Sequence, residues 1–289
     1  MLFAMLVCSS IQQVRQAVAA WRKAQAGGVG FVPTMGALHA GHYSLLAAAR
    51  GECGFVAVSI FVNPTQFGPN EDFSKYPRTL ESDLEGCRRH GADLAFTPSV
   101  EEMYPPGAAS SVHVARLGEH LCGASRPGHF DGVCTVVAKL FNIVLPDIAY
   151  FGAKDFQQAA IVRKMAGDLD MPPRIVVCPT VREGDGLAMS SRNRRLSPEE
   201  RAQAPALYEA LRLAAERAAA GEASAAALAQ AAADHIRRRA PLGRIDYIQV
   251  VDAENLAPVE RLDRPAVMAL AVRFPSARLI DNLAHRQKQ

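Results

Sequence analysis

The sequence has no uninterrupted apolar stretch of about 18 residues, the length that a membrane-spanning helix requires. An excess of one charge sign is also lacking, since the net charge is only +3, and this argues against a dedicated nucleic-acid binder. The six cysteines include no C-x-x-C pair and match no zinc spacing. We therefore expect buried free thiols in a reducing compartment, the cytoplasm, and neither a membrane nor a nucleic acid as partner.

Several common motifs are missing as well. The sequence contains no P-loop G-x-x-x-x-G-K-[ST], no evident Ser-His-Asp order and no G-x-G-x-x-G after a strand. The glycines of GGVG come before their strand and so do not form a dinucleotide fingerprint. The apolar N-terminal segment MLFAMLVCSS lacks a basic region and an A-x-A cleavage site. We interpret it as a first strand or the lead-in to one, and not as a secretion signal.

The first part of the chain alternates between short apolar runs and amphipathic segments. Strands are predicted at residues 29–32, 55–62, 94–97, 148–151 and 175–181, and helices at 12–25, 41–50, 79–90, 133–144 and 156–168. This alternation is typical of βαβ units around a parallel sheet. The sequence thus predicts an α/β protein whose N-terminal domain, residues 1–181, is Rossmann-like.

The composition changes after residue 181. Residues 198–239 are rich in alanine and helical in pattern, with a break at Gly221, and strands are predicted at 245–251 and 267–272. A smaller α/β C-terminal domain, residues 182–289, is therefore expected.

The stretch PTMGALHAGH follows the predicted strand at 29–32. Gly36 and Gly41 permit close backbone approach, and a helix opening near Gly41 would offer free N–H groups to a phosphate. His39 and His42 could donate to the phosphate oxygens. The alternative interpretation is structural: one histidine caps a loop and the other packs.

Two more predicted strands end in polar residues. Asn63 and Gln66 follow the strand at 55–62, and Lys154 and Asp155 follow the strand at 148–151. Ligands of open α/β sheets bind beyond the carboxyl ends of the strands, where an amide, an ammonium and a carboxylate can hold a small polar ligand. An ordinary N-P turn and a helix cap are the alternatives.

A basic stretch, MSSRNRR, lies just before Ser197. Hydroxyls beside guanidinium groups suit a polyphosphate, although a solvated basic loop is the simpler interpretation. Ser197, followed by Pro198 and by Glu200 three residues on, predicts a helix start with a capping box.

Together these segments resemble a known family. PTMGALHAGH is similar to the H-x-G-H signature of the nucleotidyltransferase superfamily, and MSSRN is similar to its Met-Ser-Lys-type loop. More narrowly, PTMGALHAGH, FVNPTQFGPNEDFSKYPRT, RPGHFDGV, FGAKDFQQ and GLAMSSRN resemble the pantoate–β-alanine ligase family in content and order. The combination, spread over residues 33–193, is specific, whereas each piece alone is not.

The resemblance implies an ATP-dependent ligase. Pantoate would attack the α-phosphate of ATP to give pantoyl adenylate and pyrophosphate, and β-alanine would then displace AMP to give pantothenate. It also implies Mg²⁺ and a homodimer. Because water attacks an acyl adenylate, we further expect the C-terminal domain and the MSSRN loop to act as a lid over the nucleotide.

The resemblance also assigns residues. ATP would contact Met35, Gly36, Ala37, Leu38, His39, Ala40, Gly41, His42, Asn63, Gly152, Ala153, Lys154, Asp155, Val181, Met189, Ser190, Ser191 and Arg192. The catalytic residues among these would be His42, His39, Lys154 and Arg192. Pantoate would contact Gln66, Gln158 and Arg126, and β-alanine would contact Gln66. No protein ligand is assigned to the metal, for which Asp83 is only a weak candidate. Ala153 replaces the Glu of the family's G-E-K-D, while Lys154 and Asp155 are retained.

Two other functions remain open at this point. A cytidylyl- or adenylyltransferase could use the same H-x-G-H fold, but it would not need Gln66 and Gln158 as a pantoate clamp. An inactive ATP-binding module would not need the full set of phosphate donors. RNA binding in the manner of the aminoacyl-tRNA synthetases has little support, because no anticodon-type domain is visible.

Overall fold

The computed structural model describes residues 5–25, 27–69, 71 and 73–285. Its larger sheet contains β1 (Leu6–Cys8), β2 (Val29–Thr34), β3 (Phe55–Ile60), β4 (Leu94–Phe96), β5 (Ile148–Gly152) and β6 (Arg174–Cys178). These strands are parallel and lie in the order β1-β4-β3-β2-β5-β6. The N-terminal segment predicted as a first strand includes β1, while residues 1–4 lie outside the described residues.

Helices connect the strands of this sheet. They are α1 (Ile11–Ala24), α2 (Ala40–Glu52), α3 (Leu80–Arg89), α4 (Val100–Met103), α5 (Cys122–Ser125), α6 (His129–Val144) and α7 (Phe156–Asp168). Short 3₁₀ turns form at Pro64–Gln66 and Ala153–Asp155. β2 and β3 are almost wholly buried because helices cover both faces of a parallel sheet, which explains their continuous apolar runs. The predicted α/β fold with a Rossmann-like parallel sheet is confirmed.

The strand order reverses between β2 and β5. From β2 the chain moves outward through β3 to β4, and from β5 it moves the other way to β6. The carboxyl ends of neighbouring strands at such a reversal form the crevice in which open α/β sheets bind ligands. β2 ends at Thr34, β3 at Ile60 and β5 at Gly152. The predicted site segments therefore begin directly after three adjacent strands.

The C-terminal part is built differently. It contains α8 (Pro198–Gln203), α9 (Ala206–Ala219) and α10 (Ala225–Arg239), then an antiparallel sheet of β7 (Arg244–Asp252), β8 (Ala266–Arg273) and β9 (Arg278–His285). Leu207, Leu228, Ile236 and Leu270 belong to the core between its helices and its sheet. The capping box predicted at Ser197 and Glu200 is present. The smaller α/β domain is thus confirmed, and β9 is a strand that the sequence pattern did not predict.

By its internal contacts the chain divides into two compact units. The first unit takes in the chain up to Val114, Arg126–Ala153 and Gln158–Pro179; the second takes in Ala115–Ser125, Lys154–Gln157 and the chain from Thr180 onward. Two short segments from before residue 181 therefore belong to the second unit. The division into a nucleotide-binding domain, 1–181, and a lid, 182–289, stays a prediction. Within the described ranges, the helices are all too short or too polar to cross a membrane.

Candidate active site

The two histidines of the H-x-G-H segment start helix α2 together. His39 is the N-cap, and its Nδ1 accepts a hydrogen bond from the Gly41 N–H at 3.2 Å. The Nδ1 of His42 accepts from the His39 N–H at 3.3 Å, and the ring centroids lie 4.1 Å apart. A neutral imidazole that accepts at Nδ1 carries its proton at Nε2. Capping therefore sets both rings in the tautomer with an Nε2–H donor, so the capping role and a phosphate-binding role are compatible.

The loop before α2 is held by one buried carboxylate. Gly36 and Ala37 have positive φ angles of 86° and 51°. The Ala37 and Leu38 N–H groups donate to Asp83 at 2.9 and 2.8 Å, and Thr79 Oγ1 adds a third hydrogen bond at 3.2 Å. Successive N–H groups in left-handed turns form an anion-binding nest, and Asp83, which is 2% exposed, fills this one.

The hydrogen bonds of Asp83 matter for its candidacy as a Mg²⁺ ligand. Backbone donors to both carboxylate oxygens explain its burial, and a role as a Mg²⁺ ligand stays a prediction. Within the described ranges, no group of three or more His, Cys, Asp or Glu residues is arranged to hold a metal ion.

The turn after β3 is a buried chain of amides. Asn63 and Gln66 are 1% and 7% exposed. Asn63 Nδ2 donates to Gln66 Oε1 and to the Gly132 carbonyl, both at 3.1 Å, while Asn63 Oδ1 accepts from Tyr104 Oη at 2.8 Å. Gln66 Nε2 lies 3.2 Å from Met35 Sδ. Three residues predicted to bind substrates, Met35, Asn63 and Gln66, are thus brought together.

Arg126 and His129 hold the backbone of Gln66. His129 Nδ1 donates to the Gln66 carbonyl at 2.8 Å, and Arg126 Nη1 donates to His129 Nε2 at 2.9 Å. Arg126 also forms a bidentate pair with Glu71 at 2.6 and 2.5 Å. Burial raises the pKa of the Glu71 carboxyl, but the guanidinium outweighs it and the pKa falls below its usual range. A carboxylate substrate would have to compete with Glu71 for Arg126, whose predicted contact with pantoate stays a prediction.

Gly132 explains part of the RPGHFDGV motif. A Cβ atom at this position of α6 would lie 2.4 Å from the Thr65 carbonyl oxygen and 2.6 Å from the Gln66 nitrogen. Real Cβ atoms do not approach backbone this closely. Glycine therefore lets α6 pack directly against the Pro64–Gln66 turn that carries Gln66.

The segment after β5 is divided between the two units. Gly152, Ala153 and Gln158 lie in the first unit, whereas Lys154 and Asp155 lie in the second. The Lys154 Nζ is 3.8 Å from Asp155 Oδ2, and the Lys154 carbonyl accepts from Asn282 Nδ2 at 2.8 Å. The Lys154 ammonium is thus beside a carboxylate, and its backbone is fixed to β9.

Gln157, which the sequence analysis did not single out, is a buried clamp in the second unit. Its Nε2 donates to the carbonyls of Leu117 and His120 at 2.9 and 2.7 Å, and its Oε1 accepts from the Cys122 N–H at 2.9 Å. All of these bonds lie within the second unit, where they join residues 115–125 to the start of α7. Of the two glutamines in FGAKDFQQ, Gln157 thus has a structural role.

The basic turn is also anchored. Ser190 caps the 3₁₀ turn Ser191–Arg195 by accepting from the Arg192 N–H at 3.2 Å. Asn193 Nδ2 donates to Glu183 Oε1 at 2.8 Å and to the Ala188 carbonyl at 3.1 Å. The Met189 N–H donates to the Val181 carbonyl at 3.0 Å, so these two predicted nucleotide contacts lie together.

Ion pairs hold the hairpin of residues 182–188, which is closed by an antiparallel bridge between Arg182 and Ala188 and leads into this turn. Arg182 pairs with Asp281 at 2.6 and 3.0 Å, and its guanidinium lies 3.6 Å from the centre of the Tyr208 ring. Arg201 pairs with Glu183 and Asp185 at 2.7 and 2.6 Å. Because Asp281, Tyr208 and Arg201 all belong to the second unit, these contacts anchor the hairpin to that unit.

The predicted site residues are thus shared between the two units. The second unit holds Lys154, Asp155, Val181, Met189, Ser190, Ser191 and Arg192. The first unit holds Met35, Gly36, Ala37, Leu38, His39, Ala40, Gly41, His42, Asn63, Gln66, Arg126, Gly152, Ala153 and Gln158. Sequence reasoning missed the supporting residues Glu71, Tyr104 and His129, although Glu71 and His129 lie in quoted motifs. Tyr104 has no local signal, because its contact with Asn63 spans 41 positions.

These features define the class of the protein. A parallel α/β sheet whose central strand leads into an H-x-G-H helix start, at the reversal of strand order, is an open α/β fold with a candidate ligand site at that reversal. Comparison with known protein families identifies the family within this class. Residues 6–284 match the family described as Pantoate-beta-alanine ligase. The chain belongs to the pantoate–β-alanine ligase family.

Individual relatives agree with this assignment. A pantothenate synthetase from Pelotomaculum thermopropionicum is 52% identical over 280 residues, which cover 96% of this chain and 98% of the relative. A pantothenate synthetase from Acidobacterium capsulatum is 57% identical over 255 residues, which cover 88% and 85% of the two chains.

Solved structures show the same relationship. Pantothenate synthetase from Thermus thermophilus superposes with a TM-score of 0.91 at 49% identity, covering 96% of this chain and 99% of that one. Pantoate-beta-alanine ligase from Francisella tularensis, in complex with beta-gamma ATP and beta-alanine, superposes with a TM-score of 0.78 at 35% identity and covers 97% of each chain.

Proposed function

We propose that this chain is an ATP-dependent ligase that condenses pantoate with β-alanine to pantothenate and releases AMP and pyrophosphate. The observation that carries the proposal is the match to one ligase family over residues 6–284, almost the whole chain. The His39–His42 helix start at the reversal of strand order supports a nucleotide site in the same place. The Francisella relative, whose structure contains beta-gamma ATP and beta-alanine, supports these two substrates.

The reaction runs in two half-reactions. A carboxylate oxygen of pantoate attacks the α-phosphorus of ATP, a P–O bond forms, and pyrophosphate leaves with the electrons of the broken P–O bond. The β-alanine amine then attacks the acyl carbon, loses a proton, and AMP leaves. Donors aimed at oxygens that gain charge in the transition state accelerate such steps. The Nε2–H groups of His39 and His42 suit this role, and Lys154 and Arg192 would supply positive charge.

The remaining assignments follow from the family's motifs. The loop at residues 35–42, Asn63, residues 152–155, Val181 and residues 189–192 would contact ATP. Gln66, Gln158 and Arg126 would contact pantoate, and Gln66 would also contact β-alanine. ATP would enter as its magnesium complex, with the ion held mainly by phosphate oxygens and water.

We also propose a lid, a homodimer and a cytoplasmic location. Residues 182–195 would cover the bound nucleotide, and unchanged hydrogen exchange there with ATP plus pantoate would contradict the lid. The homodimer rests on the family resemblance, and sedimentation equilibrium would test it by giving one or two chain masses. A reducing compartment suits six buried cysteines that form no disulfide.

The decisive experiment measures AMP release from ATP and Mg²⁺, with pantoate and β-alanine added singly and together. We expect AMP and pantothenate only when both are present. Nucleotide retained in another product would contradict the ligase and favour a nucleotidyltransferase. ATP binding without turnover in any combination would favour a binding module.

A further inference from the structure

The amide chain after β3 has a direction that the hydrogen bonds define. Asn63 Oδ1 accepts from the Thr65 N–H at 3.4 Å, and because a backbone N–H can only donate, this end of the side chain must be the oxygen. The hydroxyls of Thr65 and Tyr104, at 3.0 and 2.8 Å, therefore donate to the same oxygen. At the other end, the Gly132 carbonyl can only accept, so this end must be the NH₂ group. The orientation of the Asn63 amide is thus fixed independently at both of its ends.

This direction passes on to Gln66. Both hydrogens of Asn63 Nδ2 are donated, one to Gly132 and one to Gln66 at 3.1 Å. The atom of Gln66 that faces Asn63 must therefore be Oε1, and the Nε2 group is left at the opposite end. Its partner there is Met35 Sδ at 3.2 Å, and a thioether is a weak acceptor. A substrate oxygen would be a better acceptor than this sulfur.

We infer that Tyr104 is a positioning residue: by donating to Asn63 Oδ1 it holds Asn63, and through Asn63 the Gln66 amide, in place with the NH₂ end of Gln66 toward the substrate. The NH₂ group of Gln66 then donates to a carboxylate or hydroxyl oxygen of the acid substrate. The inference rests on the proposed function, because it takes pantoate as the acid.

Tyr104 is well placed for this role. It follows α4, and its hydroxyl also lies 3.3 Å from Thr65 Oγ1. Its ring lies 6.3 Å from Phe61 and beneath Lys139 Nζ at 5.8 Å. These contacts keep the ring in place when only the hydroxyl is removed, so Tyr104→Phe isolates the hydrogen bond. Removing the hydroxyl weakens pantoate binding only if Gln66 is present to transmit the effect.

The test is a double-mutant cycle on pantoate binding, measured by calorimetry with a non-hydrolysable ATP analogue. Losing one oriented hydrogen bond should raise the pantoate Kd of Tyr104→Phe about 3- to 10-fold, with the affinity for the ATP analogue unchanged. In a Gln66→Ala background the same change should have no further effect. Gln66→Glu, which replaces the donor with an acceptor, should weaken pantoate more than Gln66→Ala does.

Tyr150→Phe is the matched control. Tyr150 is a buried tyrosine of the same unit whose hydroxyl lies 3.6 Å from Cys53 Sγ, and its replacement should leave pantoate affinity unchanged. An equal effect of Tyr104→Phe with and without Gln66 would overturn the inference, as would no effect in either background. A wild-type chain that binds no pantoate would instead overturn the proposed function.

Discussion

The loop before α2 and the hairpin of residues 182–188 each lead into predicted phosphate contacts, and they are held by different means. The first is fixed by Asp83, which is 2% exposed. The second is held by Arg182, which pairs with the buried Asp281, by hydrogen bonds from Asn193, and by Arg201, whose side chain is 33% exposed. Buried charge-assisted bonds are expensive to lose, whereas exposed pairs contribute little and weaken with salt. The first region should therefore be sensitive to single substitutions and the second tolerant.

The largest effect should come from the first region. His42→Ala should lower kcat by about 10²–10³-fold, the loss expected for one oriented transition-state donor. Steady-state kinetics measures it, and circular dichroism checks that the fold is kept. His113→Ala is the control, because His113 is an exposed histidine paired with Asp131 at 2.8 Å. Near-normal turnover in His42→Ala would remove His42 from the catalytic set.

The anchor of the same region comes next. Asp83→Asn replaces an acceptor with an NH₂ group facing backbone N–H donors, so we expect about 2–3 kcal/mol less free energy of unfolding and a raised KM for ATP. Asp93→Asn is the control. Asp93 accepts from Val56 N–H at 2.7 Å, at the amino end of β3, away from the site. Loss of stability in both variants with an unchanged KM for ATP in both would contradict the link to the nucleotide loop.

Gly132→Ala should have a smaller effect on stability. Pushing α6 away from the Pro64–Gln66 turn should cost about 1–3 kcal/mol and weaken pantoate more than ATP. Gly167→Ala, on α7, has open space for the added methyl group and should be neutral or slightly stabilising. Chemical denaturation and KM values for both substrates decide the matter, and a neutral Gly132→Ala would mean that the turn can move without cost.

The smallest effect should come from the second region. Arg201→Gln breaks partly exposed pairs with Glu183 and Asp185 and should cost about 0.5–1 kcal/mol, less at high salt. Thermal unfolding at low and high ionic strength measures this cost. Arg212→Gln, which breaks an exposed helical pair with Glu216, sets the baseline. A salt-independent loss as large as that of Asp83→Asn would erase the contrast between the two regions.

The sequence was sufficient for features whose signal is local. Buried apolar runs located β2 and β3, and Ser197 with Glu200 located the start of α8. It was insufficient where a distant partner decides the outcome. β9 went unrecognised because Asp281 occupies a buried strand position, which is possible only through its pairing with Arg182, 99 positions away. Likewise, nothing near Asp83 reveals that it anchors Ala37, 46 positions earlier.

Asp83 has one more consequence, which concerns the thermodynamics of nucleotide binding. Since its carboxylate satisfies the Ala37 and Leu38 N–H groups, the loop carries its own counter-ion and needs no bound phosphate to keep its shape. The entropy of ordering this loop is therefore lost when the chain folds and not when ATP arrives. In the first unit ATP therefore binds to a loop that is already ordered. Its association rate there should be limited by diffusional encounter and desolvation, without a slow step in which the loop forms.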